Sequence, residues 1–329
     1  MDTRTLGSTG PTVSAIGLGC MGMSDLYGPT DRSESIRTIH AALDAGVTLI
    51  DTGDFYGMGH NEMLIGEALK GRNRDAVQLS VKFGALRDPH GRFIGFDCRP
   101  AAVKSFVSYT LQRLGVDHID IYRPSRLDPN VPIEDTIGAI AELVQAGYVR
   151  HIGLSEVGSD TIRRAAKVHP IVDLQIEYAL ITRGIEDDIL PTCRELGIGI
   201  TAYGVLSRGL IGGHLSKPPA ANDYRSHSPR FQGANLDANL ALVEKLRTIA
   251  DGLGISVAQL AIAWVLAQGD DIVPVIGART VPRLQEALAA LDVDLTPQHL
   301  AALTTAIPRN AAAGSRYAEA QMAFLDSEK

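Results

Sequence analysis

The sequence predicts an α/β fold, a (β/α)8 TIM barrel with an N-terminal β-hairpin and two additional helices. Three observations lead there. Short apolar runs recur eight times, longer amphipathic segments separate them, and no Pro/Ser-rich linker divides the 329 residues. That length suits one large barrel, so residues 1–329 are expected to form a single domain.

Residues 3–6 and 12–13 flank a Gly/Pro turn at 7–11 and read as a small hairpin closing the barrel bottom. The barrel strands are expected at 15–19, 48–51, 77–82, 119–123, 149–154, 172–177, 199–203 and 272–276. Each is a short apolar run beside Gly, Asp or Pro. Helices are expected at 33–45, 61–69, 100–114, 133–146, 159–169, 185–196 and 239–253, where apolar residues recur at helical spacing, as at Ile36, Ile39 and Leu43. Segments 257–267 and 296–306 read as the two additional helices. The polar stretch 207–236 reads as a long loop after strand seven, a length usually tied to function. The Ala-rich and then polar C-terminus is expected to run over the surface. Its residues Gly314 to Tyr317 could meet either the barrel mouth or a neighbouring subunit.

Composition narrows the function. Hydrophobic residues make up 45% and charged residues 21%, with a net charge of −7. An acidic balance gives no support for binding nucleic acid or an anionic membrane. Cys20, Cys98 and Cys193 are odd in number and widely spaced, which argues against a disulfide framework or a zinc site and fits a reducing cytoplasm. The first residues lack the basic and apolar regions of a signal peptide.

Gly17-Leu18-Gly19-Cys20-Met21-Gly22 matches GxGxxG after a strand. A dinucleotide-binding Rossmann turn needs a helix to open at the third glycine. Here Gly28-Pro29 intervenes, so the glycines read as a tight strand-end loop.

The chemistry concentrates in Leu49-Ile50-Asp51-Thr52-Gly53-Asp54-Phe55-Tyr56-Gly57, where an apolar strand runs into Asp51 and a loop then presents Tyr56. Lys82 ends the next strand. Strand C-termini converge on the mouth of such a barrel, which would bring Asp51, Tyr56 and Lys82 together. A phenol is a weak acid at neutral pH. A neighbouring ammonium would lower its pKa, and a carboxylate would keep that ammonium charged. The trio suits proton donation to a carbonyl oxygen. Taken singly, each residue also fits a cap, packing or solvated role.

The blocks IGLGCMGMS, DTGDFYG, VKFG, HIGLSE, LQIEY, AYGVLSRGL and PVIGART, in that order, resemble the aldo-keto reductase superfamily over nearly the whole chain. The resemblance is greatest to the branch that includes pyridoxal reductases and perakine reductase. It implies that Asp51, Tyr56 and Lys82 are members of a catalytic tetrad. The fourth member is normally a histidine, and Ser125 stands in its place within Pro124-Ser125-Arg126-Leu127-Asp128-Pro129. His118 and His151 lie toward the opposite strand ends and are not substitutes.

The resemblance also implies NADP(H) lying across the mouth. Tyr203 would stack on the nicotinamide, with Ser155 and Gln175 on its carboxamide. Glu156 stands where many relatives have asparagine. Met21 belongs to the same set and, with Met23, Phe55, Phe83 and Arg126, to the candidate pocket walls. Gly204, Leu206, Ser207, Arg208, Gly209 and Leu210 would line the pyrophosphate. Gly277, Arg279, Arg283 and Glu286 would hold the adenosine end, the two guanidinium forks suiting a 2′-phosphate. The implied activity is reduction of an aldehyde or ketone. The Ser125 departure leaves two alternatives: a weakly catalytic NADP(H)-binding or redox-sensing subunit, and an enone C=C reductase.

Overall fold

The computed structural model describes residues 1–24, 27–215, 217–220 and 223–329. Strands β1 (Thr3–Thr5) and β2 (Thr12–Ser14) pair antiparallel. They form the expected hairpin. The barrel strands follow as β3 (Gly17–Gly19), β4 (Leu49–Gly53) and β5 (Gln78–Phe83). A second hairpin, β6 (Ala85–Arg87) with β7 (Phe93–Phe96), interrupts the series. The barrel resumes with β8 (Ile119–Pro124), β9 (Val149–Ser155), β10 (Ile171–Glu177), β11 (Gly199–Tyr203) and β12 (Ile272–Gly277). Neighbouring barrel strands run parallel and close in the order β10-β11-β12-β3-β4-β5-β8-β9.

The helices are α1 (Arg32–Asp44), α2 (His60–Ala68), α3 (Pro100–Leu114), α4 (Ile133–Gln145), α5 (Ser159–Val168), α6 (Ile189–Glu195), α7 (Gly233–Leu253), α8 (Val257–Leu266), α9 (Val281–Leu288), α10 (Pro297–Ala306) and the short α11 (Glu319–Met322). Local chemistry sets their ends. Asp31 accepts the Glu34 amide and starts α1. Ser256 and Gln259 form a capping box at α8. Left-handed Gly115 ends α3. Because α1 opens ten residues after Gly22, no α-helix starts at the third glycine, which the GxGxxG reading requires.

Three expectations need correction. First, α8 packs against β12 and is the barrel helix between β11 and β12, whereas α7 packs on α8 and α10 on α7. The additions are therefore α7 and α10. Most of α8 is buried, and a helix apolar all round reads poorly as a barrel helix from its pattern. Second, α7 begins at Gly233 and shortens the loop. The loop also contains 3-10 turns at Ser207–Gly212, Tyr224–His227 and Pro229–Phe231. Third, the C-terminal segment does not simply cross the surface. Arg316 is 5% exposed and enters the mouth.

The hairpin closes the floor. Leu6 and Val13 pack with Leu49, Ile121, Val172, Val273 and Val275, a small apolar cluster separate from the main core. All three cysteines are buried and unbridged. Among the described residues, no single helix is long and apolar enough to cross a membrane.

Candidate active site

Every residue of β4 is buried, so Asp51 reaches the mouth from inside the barrel with its carboxylate out of bulk water. Three neighbours compensate it. Lys82 Nζ lies 2.6 Å from Oδ1, while Ser80 Oγ and Gln175 Nε2 donate to Oδ2 at 2.8 and 2.6 Å. The parallel register places Asp51 beside Ser80 and Gly53 beside Lys82. Adjacent strand ends thus build the ion pair directly.

Tyr56 follows in a 3-10 turn, Tyr56–Gly59, in which Gly57, Met58 and Gly59 all have positive φ. The turn folds the phenol back over the barrel. Phe55 packs edge-on at 4.8 Å between centroids, and Lys82 Nζ lies 5.2 Å from the Tyr56 ring centre. Asp51, Tyr56 and Lys82 therefore meet as expected.

Their electrostatics differ from the expectation. Burial and the Asp51 charge push the Tyr56 phenol well above its ordinary pKa, while Arg126 opposes them in part. Burial lowers the Lys82 pKa against the pull of Asp51. The ammonium is bonded to Asp51, and burial of the phenol outweighs what the cations around it contribute. In this state the phenol is a firmly protonated donor.

Ser125 follows β8, its amide bonded to the Phe83 carbonyl at 2.8 Å. It is 2% exposed, and its Oγ has no hydrogen-bond partner among the described residues. Arg126 donates to the Ser125 carbonyl at 2.6 Å.

The cofactor set surrounds this centre. Ser155 ends β9, buried, with an Oγ that has no partner among the described residues. The Gln175 amide nitrogen is used by Asp51. Met21 lies in the 3-10 turn Met21–Met23 after β3. Tyr203 ends β11. Beyond it, Gly204 has φ +68 and faces the Glu177 side chain so closely that a Cβ would lie 3.0 Å from its Cγ. Ser207, Arg208 and Gly209 are left-handed in succession. Two of these amides are spent inside the turn, Ser207 on the Gly204 carbonyl at 2.6 Å and Gly209 on the Leu206 carbonyl at 2.8 Å, while the buried Ser207 Oγ has no partner among the described residues. Leu206 precedes this run, and Leu210 anchors it in the core. Gly277 ends β12 exposed. Arg279 donates to the Tyr27 carbonyl at 2.9 Å, and Arg283 pairs with Glu286 at 3.0 Å. Both arginines flank the start of α9, where the helix dipole disfavours cations. Unpartnered buried hydroxyls and a cationic rim fit a dinucleotide.

A model of the aldo/keto reductase family matches residues 15–308. The chain belongs to that family. It is 43% identical over 317 residues to a probable aldo-keto reductase 1 from Glycine max, covering 95% of this chain and 90% of the relative. The glycerol dehydrogenase structure from Gluconobacter oxydans superposes with a TM-score of 0.85 at 30% identity, covering 93% of this chain and 94% of the other. The holo form of an aldo-keto reductase from Bacillus halodurans gives 0.79 at 27% identity, covering both chains fully. Membership of the aldo-keto reductases implies a nicotinamide cofactor and carbonyl reduction.

Within this aldo-keto reductase, the residues that sequence reasoning left undecided are Arg316 and Tyr317. Arg316 bonds both oxygens of Glu156, at 2.8 and 2.6 Å. Tyr317 meets the Tyr203 hydroxyl at 2.8 Å and lies under the Arg208 guanidinium, 4.3 Å from its ring centre. The available signal was an arginine-tyrosine pair in an otherwise small-residue tail.

Asp54 is a further buried acid beside this site. Burial and the neighbouring Glu62 push its carboxyl up to about 7, against the amides of Gly84 and Phe55 and the Arg113 cation. The folded state therefore holds this proton more tightly than the unfolded chain. Its contribution favours folding in acid, declines as pH rises from the ordinary aspartate range to about 7, and is absent above that. Asp54→Asn is expected to remove that decline and to gain on the order of 4 kcal/mol in alkaline solution. Urea unfolding across pH measures it, and a variant with an unchanged pH slope would refute the assignment.

Proposed function

We propose that the chain is an NADPH-dependent reductase of aldehydes or ketones, reversible toward alcohol oxidation, with Tyr56 as proton donor. The observation that carries this reading is the buried Asp51–Lys82 pair at 2.6 Å beside the Tyr56 ring. The cofactor, when bound, supplies the hydride. Ser155 would bond the carboxamide, Tyr203 would take the nicotinamide ring, and the turn at 204–210 would take the pyrophosphate. Met21, Gly277 and Glu286 would complete the binding surface.

The chain's own residues then do the acid chemistry. Tyr56 donates its proton to the carbonyl oxygen as negative charge develops there. Lys82 steadies the phenolate that remains, and Asp51 holds Lys82 in place. The unpartnered Ser125 hydroxyl donates a hydrogen bond to the same oxygen, a neutral substitute for an imidazole. The substrate is a small carbonyl compound, and residues 1–329 act as one unit.

Nicotinamide absorbance followed with NADPH and a panel of aldehydes, ketones and enones tests the reading. Consumption with aldehydes or ketones supports it. Turnover of enones alone would move the activity to C=C reduction, and tight NADPH binding with no turnover would make the chain a binding subunit. Preference for the phosphorylated cofactor is assigned to Arg279 and Arg283. Replacing both with alanine is expected to raise the KM for NADPH roughly tenfold to a hundredfold, the scale of lost charge-assisted hydrogen bonds, with little change for NADH. An equal loss for both cofactors would refute a 2′-phosphate role.

A further inference from the structure

Glu156 has a positive φ of 53° and is fully buried. A carboxylate there needs a counter-ion, and the counter-ion comes from the far end of the chain. Arg316 makes a two-pronged bond to it. Ser327 Oγ donates to Oε2 at 2.6 Å, and Tyr203 donates to Oε1 at 2.6 Å. The tail is also tied elsewhere. Asp326 accepts the Gly158 amide at 2.9 Å, and Phe324 packs edge-on against Phe93 and Phe96 at 5.5 and 5.4 Å.

Burial alone would raise the Glu156 pKa, but the Arg316 bonds and charge, with Arg126 and Ser327, bring it to about 2. The other groups facing it are the Tyr203 and Tyr317 hydroxyls and Glu177. Arg208 and Arg230 pair with Glu177 at 3.2 and 3.4 Å, and Glu328 pairs with Arg316 at 2.8 Å. Arg316 is the one cation that bonds Glu156 directly among the described residues.

We propose that Arg316 is a positioning residue of the nicotinamide subsite. It holds Glu156 aligned so that the Tyr203 hydroxyl is fixed, and with it the ring face offered to the cofactor. The C-terminal segment is thereby part of the cofactor site. This rests on the assignment of Tyr203 to the nicotinamide ring.

NADPH titration of the full chain by fluorescence, with steady-state kinetics across pH, tests the proposal. Arg316→Gln is expected to weaken NADPH binding about tenfold and to raise KM more than it lowers kcat. Binding should also acquire an ionisation absent from the wild type, because an unpaired buried carboxylate takes up a proton more readily. With Glu156→Asn already in place, Arg316 keeps only its pairs with Glu328 at 2.8 Å and Glu177 at 3.6 Å, neither of which holds Tyr203, so Arg316→Gln should cost less than about threefold in binding and the Glu156 ionisation should vanish. This double variant also serves if the single one folds poorly. Equal losses from Arg316→Gln in both backgrounds, or no loss in either, would overturn the proposal while leaving the reductase reading intact. A wild type that fails to bind NADPH would overturn both.

Discussion

Tyr56→Phe is expected to lose roughly a hundredfold to ten-thousandfold in turnover, the usual contribution of a positioned general acid, while binding NADPH as the wild type does. The variant keeps the ring that packs edge-on against Phe55 and lies beside Lys82. It removes only the hydroxyl. Since burial keeps that hydroxyl protonated, the reductive direction should hold its rate through neutral pH. Single-turnover NADPH oxidation checks this. Retention of most turnover would assign the proton to another group, and Ser125, buried with a free Oγ, is the alternative to examine.

Lys82→Met should affect both turnover and stability. Among the described residues, it leaves Asp51 buried with Ser80 and Gln175 as its side-chain partners. Removing one member of a buried ion pair costs about 3–5 kcal/mol, and those two hydrogen bonds place the value near the lower end. Turnover is expected to fall about a hundredfold or more, since a fixed charge beside the reacting proton is lost. Adding Asp51→Asn to Lys82→Met should recover most of the stability, because no uncompensated charge remains, without recovering turnover. Urea unfolding and kinetics on the same three proteins separate the effects. Recovery of both together would mean that Lys82 acts only as a structural counter-ion.

The sequence was most legible where structure and chemistry are local. Leu49 to Tyr56 encode a strand, the Asp51 carboxylate at its buried end and the turn carrying the phenol in one short stretch. The barrel followed from repeated punctuation of the same kind. The hairpin at Ala85–Arg87 and Phe93–Phe96 lies outside the expected elements, although Asp88, Pro89 and Gly91 are ordinary turn residues. Its strands are short and partly exposed, so no apolar alternation drew notice. The order of α7 and α8 was misjudged because α7 carries the clearer one-sided pattern, while α8 is apolar on nearly every face. The tail was illegible for another reason. Arg316 finds Glu156 across 160 positions, and nothing local in either segment announces the other. Burial sets the direction of the Tyr56 shift, and burial is a property of the assembled barrel that the motif alone does not carry.

The buried cysteines carry a practical consequence. Burial pushes the thiols of Cys98 and Cys193 up to about 12 and that of Cys20 higher still, and thiols rather than thiolates react poorly with alkylating reagents. The native chain is thus expected to react slowly with maleimides, its three thiols being buried as well as protonated. A single cysteine placed at the exposed Ser315 would carry a fluorophore or spin label alone, with no need to strip the protein of its own thiols, and would report directly on the segment next to Arg316.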